Sequence, residues 1–180
     1  MKEDLTREIE LKEKISVRLE NNVLKVKGPK GELEREFTYP GVFLTVEGNK
    51  IILRAPQATK REKKIIGAFE SHIINMVKGV EELHEYRLKI CSGHFPMSVS
   101  VSGSEFVIKN FMGEVVPRKV HLVKNVDVKI NGNIITICSL DKEAAGQAAA
   151  QIESLCRVTN RDRRIFQDGC YITHKAGKDL

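Results

Sequence analysis

From Ile15 onward apolar and polar residues alternate with a period of two: Ile15, Val17 and Leu19 are separated by Ser16 and Arg18. Asn21-Asn22 supplies a turn, and Leu24 and Val26 carry the alternation on to Gly28-Pro29-Lys30-Gly31. This pattern predicts hairpin strands. A further strand follows over 33–37 and is broken by Pro40-Gly41. Segments 42–46 and 50–53 then form a hairpin around Glu47-Gly48-Asn49, a turn suited to positive φ. The period next becomes helical. Thr59-Lys60-Arg61-Glu62 matches a capping box, Ile65, Ile66, Phe69, Ile73, Met76 and Val77 recur at three and four, and Gly79 is expected to close the helix. One helix therefore covers one sheet. Residues 1–13 precede all this with alternating charge signs and only Leu5, Ile9 and Leu11 as larger apolar groups after Met1, which suits a solvated lead-in able to pair with something.

The second half repeats the first. Segment 15–32 laid over 97–114 at an offset of 82 pairs Ser16 with Ser98, Val17 with Val99, Lys27 with Lys109, and Gly31-Glu32 with Gly113-Glu114. Further on, Val46-Glu47-Gly48-Asn49 answers Ile130-Asn131-Gly132-Asn133, and Glu70-Ser71 answers Glu153-Ser154. The order strand, turn, strand, glycine hairpin, helix recurs with it, as duplication produces. The fold class is α+β: two tandem duplicated domains, 1–81 and 82–180, each a mainly antiparallel sheet packed by one helix. Asp141 is the expected N-cap of the second helix, whose Ala144, Ala145, Ala148, Ala149, Ile152 and Leu155 form a small-residue face that can approach the sheet closely. Gly146 within it weakens that helix by about 1 kcal/mol relative to alanine.

Composition narrows the function. The net charge is +6 and the pI about 9.1, which favours a polyanionic partner, nucleic acid first. Residues 1–80 carry 16 basic and 12 acidic side chains and residues 81–180 carry 14 and 12, so the signal lies in local clusters. No segment approaches the ~18 apolar residues of a membrane span, and Met-Lys-Glu-Asp at the start lacks the apolar region of a signal peptide, so a cytoplasmic location without membrane contact is expected. Cys91, Cys138, Cys156 and Cys170 are far apart, form no C-x-x-C pair, and are expected to be reduced core fillers.

The strongest cluster is 157–175, RVTNRDRRIFQDGCYITHK. Arg157, Arg161, Arg163 and Arg164 fall within eight residues, Lys175 and Lys178 follow, and Phe166 and Tyr171 are set among them. Guanidinium groups neutralise phosphates while rings stack on splayed bases, a combination that binds RNA. Three further segments bear on it. Gly28-Pro29-Lys30-Gly31 reads as a plain hairpin turn, since it has neither the spacing nor the strand-to-helix context of a P-loop. Its repeat partner, 109–113, is expected to expose polar and aromatic groups. The loop His94-Phe95-Pro96 offers a ring beside a proline, and Arg118-Lys119-x-His121 gives a basic strand face, ordinarily a wet one. Cys170 with His174, or Cys91 with His94, could make a catalytic or metal pair, but neither has a third group placed by spacing, so no enzyme, cofactor or metal is expected.

Several long segments also resemble a known family: KGPKGEL at 27–33, SHIINMVKGV at 71–80, KNFMGE at 109–114, DKEAAGQAAAQIE at 141–153 and CRVTNRDRRIFQDGCYIT at 156–173. They are similar to the sixth protein of the large ribosomal subunit in its archaeal and eukaryotic branch, and the match covers nearly the whole chain. The resemblance implies two copies of one α+β fold and a structural role on the cytoplasmic ribosome. It implies binding to large-subunit ribosomal RNA close to the sarcin–ricin region, with other ribosomal proteins as neighbours and translation factors nearby. The residues implied are His94, Phe95, Pro96, Lys109, Asn110, Arg157, Arg161, Arg163 and Arg164, with Lys30 a weaker candidate. Lys175 and the pair Arg118 and Lys119 join them as basic groups of the same half. One departure is that the family often runs Ile-Pro-Glu-Gly-Val where this chain has Leu11-Lys12-Glu13-Lys14-Ile15. The rival reading is a duplicated DNA-bending saddle, which needs phenylalanine wedges at matching places in both halves. Here Phe106 aligns with Leu24 and Phe111 with Pro29, so the symmetric wedges are missing and DNA is not expected as a partner.

Overall fold

The structure is a computed structural model that describes residues 2–12 and 14–180. The chain divides into two compact units, Met1–Leu83 and His84–Leu180. In the first, strands β1 (Glu3–Glu10), β5 (Phe43–Glu47) and β6 (Lys50–Ala58) make an antiparallel sheet in the order β1-β6-β5, and β2 (Ser16–Glu20), β3 (Val23–Gly28) and β4 (Gly31–Glu36) make a second in the order β2-β3-β4. Helix α1 (Lys60–Glu81) packs Ile66, Ile73, Met76, Val77 and Val80 against Leu24, Val26, Ile51 and Leu53.

Local chemistry accounts for most of these elements. Asn21 and Asn22 both have positive φ, the geometry of a two-residue hairpin turn. The Thr59 side chain accepts from the Arg61 N–H and the Glu62 carboxylate from the Thr59 N–H, so the capping box forms as the spacing predicts. Two expectations need correction. Residues Glu3–Glu10 are a strand, paired with β6 from Glu3↔Ala58 to Glu10↔Lys50. Ile9 and Leu11 are buried, and the charges are matched across the ladder and to α1, with Lys50 on Glu8 and Glu10, Lys63 on Glu3 and Arg7 on Glu70. Gly79 lies inside α1, buried, and the helix ends at Glu81. The 28–31 turn tucks under that end: the Lys30 N–H donates to the Val80 carbonyl at 3.0 Å, satisfying one of the carbonyls a helix leaves without a partner. At the turn between β1 and β2, where the chain departs from the family pattern, Glu13 lies outside the described residues.

The second unit repeats this plan and extends it. Strands β7 (His84–Cys91), β11 (Asp127–Asn131) and β12 (Ile134–Ser139) correspond to β1, β5 and β6, while β8 (Ser98–Ser102), β9 (Glu105–Lys109) and β10 (Arg118–His121) correspond to β2, β3 and β4. Ser16 pairs with Lys27 in one small sheet and Ser98 with Lys109 in the other. The Asn49 and Asn133 carbonyls each accept an N–H, from Leu11 and Ile90. Helix α2 (Lys142–Leu155) is capped by Asp141 and buries Ala145, Ala148, Ala149 and Ile152 on Leu88, Ile135 and Ile137. Gly146 gives up helix propensity for space, because a β-carbon there would lie 3.2 Å from the Tyr86 hydroxyl.

The basic C-terminal segment is no simple tail. Its second part, β13 (Gly169–Lys175), pairs with β7 and, through a short β14 (Lys178–Asp179), completes a five-stranded sheet ordered β11-β12-β7-β13-β14. Only 157–168 is loop. Phe111 also departs from expectation: it is 1% exposed, in the core beneath Arg118 rather than at an open tip.

The 28–31 contact predicts opposite outcomes for one substitution at two glycines. A β-carbon at Gly28 would lie 2.7 Å from the Val80 carbonyl oxygen, whereas at Gly67, inside α1, it would meet nothing within 4 Å. Gly28→Ala should destabilise the chain by about 1–3 kcal/mol through overpacking. Gly67→Ala should stabilise it by up to about 1 kcal/mol. Urea denaturation followed by far-UV circular dichroism reads both signs.

Candidate nucleic-acid interface

Three segments far apart in sequence meet in the second unit: the loop 92–97, the turn 109–113 and the loop 157–168. A buried carboxylate joins the first to the third. Asp168, 2% exposed, accepts the Gly93 N–H at 2.6 Å and the His94 N–H at 3.2 Å, and the His94 ring nitrogen lies 3.5 Å away. Burial alone would raise this carboxyl, but backbone N–H groups of Gly93, His94 and Phe95, with the His94 ring, hold it below the usual carboxylate range. The second segment is tied on by Asn110, whose amide donates to the Pro96 carbonyl at 2.9 Å. Asn110 sits at φ 58, a left-handed position asparagine tolerates. Phe95 lies over Gly113, where a β-carbon would stand 3.2 Å from its ring, and keeps 41% of its surface exposed.

Planar groups stack outward from this joint. The His94 and Phe166 rings are 4.8 Å apart, and the Arg161 guanidinium lies 5.3 Å from the Phe166 centroid. The intervening turn is built by Asp162: its carbonyl accepts the N–H groups of Ile165 and Phe166, and its carboxylate accepts the Arg164 N–H at 3.0 Å and the Arg164 guanidinium at 2.8 Å. That ion pair is exposed, so trading Asp162 for another anion costs Arg164 little. Arg157, Arg161, Arg163 and Arg164 are all exposed. The result is a cationic rim around a ring stack, able to neutralise phosphates and to receive a base.

The structure gathers His94, Phe95, Pro96, Lys109, Asn110, Arg161, Arg163 and Arg164 here, with Arg157 where the loop leaves α2. Three sequence candidates stand elsewhere. Arg118 serves the fold: it pairs through two nitrogens with Glu114, donates to the Leu155 and Arg157 carbonyls at 2.8 and 3.2 Å, and covers the Phe111 ring at 4.3 Å. It closes the C-terminal end of α2. Lys119 projects from edge strand β10, 3.4 Å from Glu105. Lys175 ends β13, about 20 Å along the strand from Gly169. Sequence reasoning missed Asp168, which looks like one more surface charge until its partners 74 and 75 residues away are known. Phe166 had a signal, its place among the arginines.

The Cys170–His174 pair does not form. Cys170 and His174 are four residues apart on one strand, about 13 Å, and the His174 ring is engaged by Asp179 at 2.6 Å. Among the described residues no group of three His, Cys, Asp or Glu side chains could hold a metal. No described helix is long and apolar enough to cross a membrane.

Asp168 sets the stability of this joint. Asp168→Ala should cost roughly 2–3 kcal/mol by stranding charge-assisted hydrogen bonds. Because its folded pKa is depressed, the stabilisation is complete above the ordinary value of about 3.9 and is lost as pH falls through the lower folded value. Urea midpoints measured between about pH 5 and pH 2 should fall more steeply for the parent chain than for Asp168→Asn.

Comparison with known proteins agrees with the duplication. A family model described as Ribosomal protein L6 matches residues 12–83 and 95–169. The chain is 45% identical over 181 residues to the large ribosomal subunit protein uL6 of Nanoarchaeum equitans, covering 96% of this chain and 94% of that protein. It is 42% identical to the uL6 of Methanosarcina mazei, covering 98% and 100%, and 41% identical to that of Methanocella arvoryzae over the same shares. One model spans both repeats and the likeness runs the length of each relative: the chain belongs to the ribosomal protein L6 family.

Proposed function

We propose that this chain, a structural and non-catalytic constituent of the large ribosomal subunit in the cytoplasm, holds its place there by binding large-subunit ribosomal RNA through the second unit. The observation that carries this reading is the convergence on Asp168: one buried carboxylate fixes two loops so that His94, Phe166 and Arg161 stack while Arg157, Arg163 and Arg164 stand in solvent around them. Such a surface neutralises backbone phosphates and offers a ring face to an unstacked base, and needs no base-edge readout. Lys109 and Asn110 extend it along the adjoining turn; Arg118 belongs to the scaffold. The family resemblance supports a site close to the sarcin–ricin region, among other ribosomal proteins and near the docking translation factors. The DNA-saddle alternative loses support, since Phe106 and Phe111 are 0% and 1% exposed and neither can act as a wedge.

If the loop neutralises Z phosphates, the logarithm of affinity for an rRNA fragment falls against the logarithm of salt with a slope of about −0.7Z to −0.9Z. Replacing Arg161, Arg163 and Arg164 together by alanine should weaken binding and flatten that slope by roughly two to three units. A filter-binding titration at several salt concentrations reads it, and an unchanged slope would remove the loop from the interface. Arg118→Ala should instead lower stability.

A further inference from the structure

A cysteine stands at each end of the arginine loop. Cys156 is the C-cap of α2 and Cys170 the second residue of β13, 5% and 1% exposed and members of the same buried cluster where α2 packs on β13. Both line a cavity of about 820 Å³ whose walls also include the exposed Arg157, Arg163 and Gln167, so small solutes can reach the pair. Cys91 lines it too and is opposite Gly169 in the ladder, one position from Cys170. All are free thiols. Core filling explains a buried cysteine, but not two from one cluster lining the same solvent-reached cavity at the two ends of the most cationic loop.

We propose that Cys156 and Cys170 form a peroxide-sensitive pair whose disulfide closes the arginine loop. The two thiols are unequal. The hydrogen bond from Cys170 draws the Cys156 thiol down despite burial, helped by the Arg118 charge, while the same contact and burial push Cys170 up. Cys156 as thiolate attacks an oxygen of a hydroperoxide; the O–O bond breaks, the sulfur becomes a sulfenic acid, and the other oxygen leaves and takes a proton as water or alcohol. The Cys170 sulfur then attacks the sulfenic sulfur. An S–S bond forms, the S–O bond breaks, and the hydroxyl departs as water with the Cys170 proton. Two thiols lose two electrons in total and the hydroperoxide gains them. The bond ties the ends of 157–169 and restricts the loop that carries Arg157, Arg161, Arg163 and Arg164. Its consequence for RNA rests on the function proposed above; its formation does not.

The test uses the purified full-length chain, reduced, then treated with stoichiometric hydrogen peroxide, blocked and digested with trypsin without reductant. Cleavage after Arg157 and Arg164 puts Cys156 and Cys170 on separate peptides, 143–157 and 165–175. The expected result is one linked species joining these two, two fewer titratable thiols per chain, and recovery of both by dithiothreitol. Cys91→Ser should keep the linkage and Cys156→Ser abolish it. Peptides that stay separate, or a link that runs through Cys91, would overturn the proposal. Failure of an rRNA fragment to bind either form bears on the proposed function alone, because the linkage is read on the free protein.

Discussion

The loops by which the second unit departs from the first are held together by the buried Asp168 carboxylate. A desolvated charge is tolerated only when hydrogen bonds replace its water, and Asp168 finds them on the backbone of a loop 74 and 75 residues earlier. The cost of stranding it binds loop 92–97 to loop 157–168. Rings and guanidinium groups can then be presented by loops, which would otherwise hold no fixed spacing, with the positional precision of the sheet behind them.

The two units share one scaffold and differ in what is added to it. They share strand order, hairpin registers and a capped helix on the sheet, all set by burial of the same alternating apolar positions. They differ at one sheet edge. In the second unit β13 adds itself to β7, the counterpart of β1, and follows directly on the arginine loop. The arginine loop is thus anchored at both ends, by the C-terminus of α2 and by a strand paired on both sides. The corresponding edge of β1 ends in solvated charges matched to β6 and α1.

Arginine does two jobs here, separated by geometry rather than composition. Arg118 spends its donors on Glu114 and on two carbonyls near the end of α2, so its charge belongs to the fold. Arg164 meets only an exposed Asp162, a pair worth little in water and easily exchanged for a phosphate. Arg161 lies over a ring.

The sequence by itself determined the two-fold α+β plan. Strand and helix periods, the Asn21-Asn22 turn, the Thr59 and Asp141 caps and the repeat offset are local or pairwise signals, and each element formed where its residues favour it. The sequence also located the cationic loop, because a run of arginines needs no tertiary context to be seen. It misjudged Glu3–Glu10, whose charges hide a strand until Lys50, Lys63 and Glu70 stand beside them, and Gly169–Lys175, where polar residues alternate along a strand held by β7. Only the tertiary structure decided which basic groups face outward and which are consumed by the fold, as with Arg118, and only it revealed Asp168 and the cavity that Cys156 and Cys170 share. The physical reason is the same for all of these. Burial and hydrogen-bond satisfaction are set by partners many residues distant, and no periodicity within a segment carries the identity of its partner.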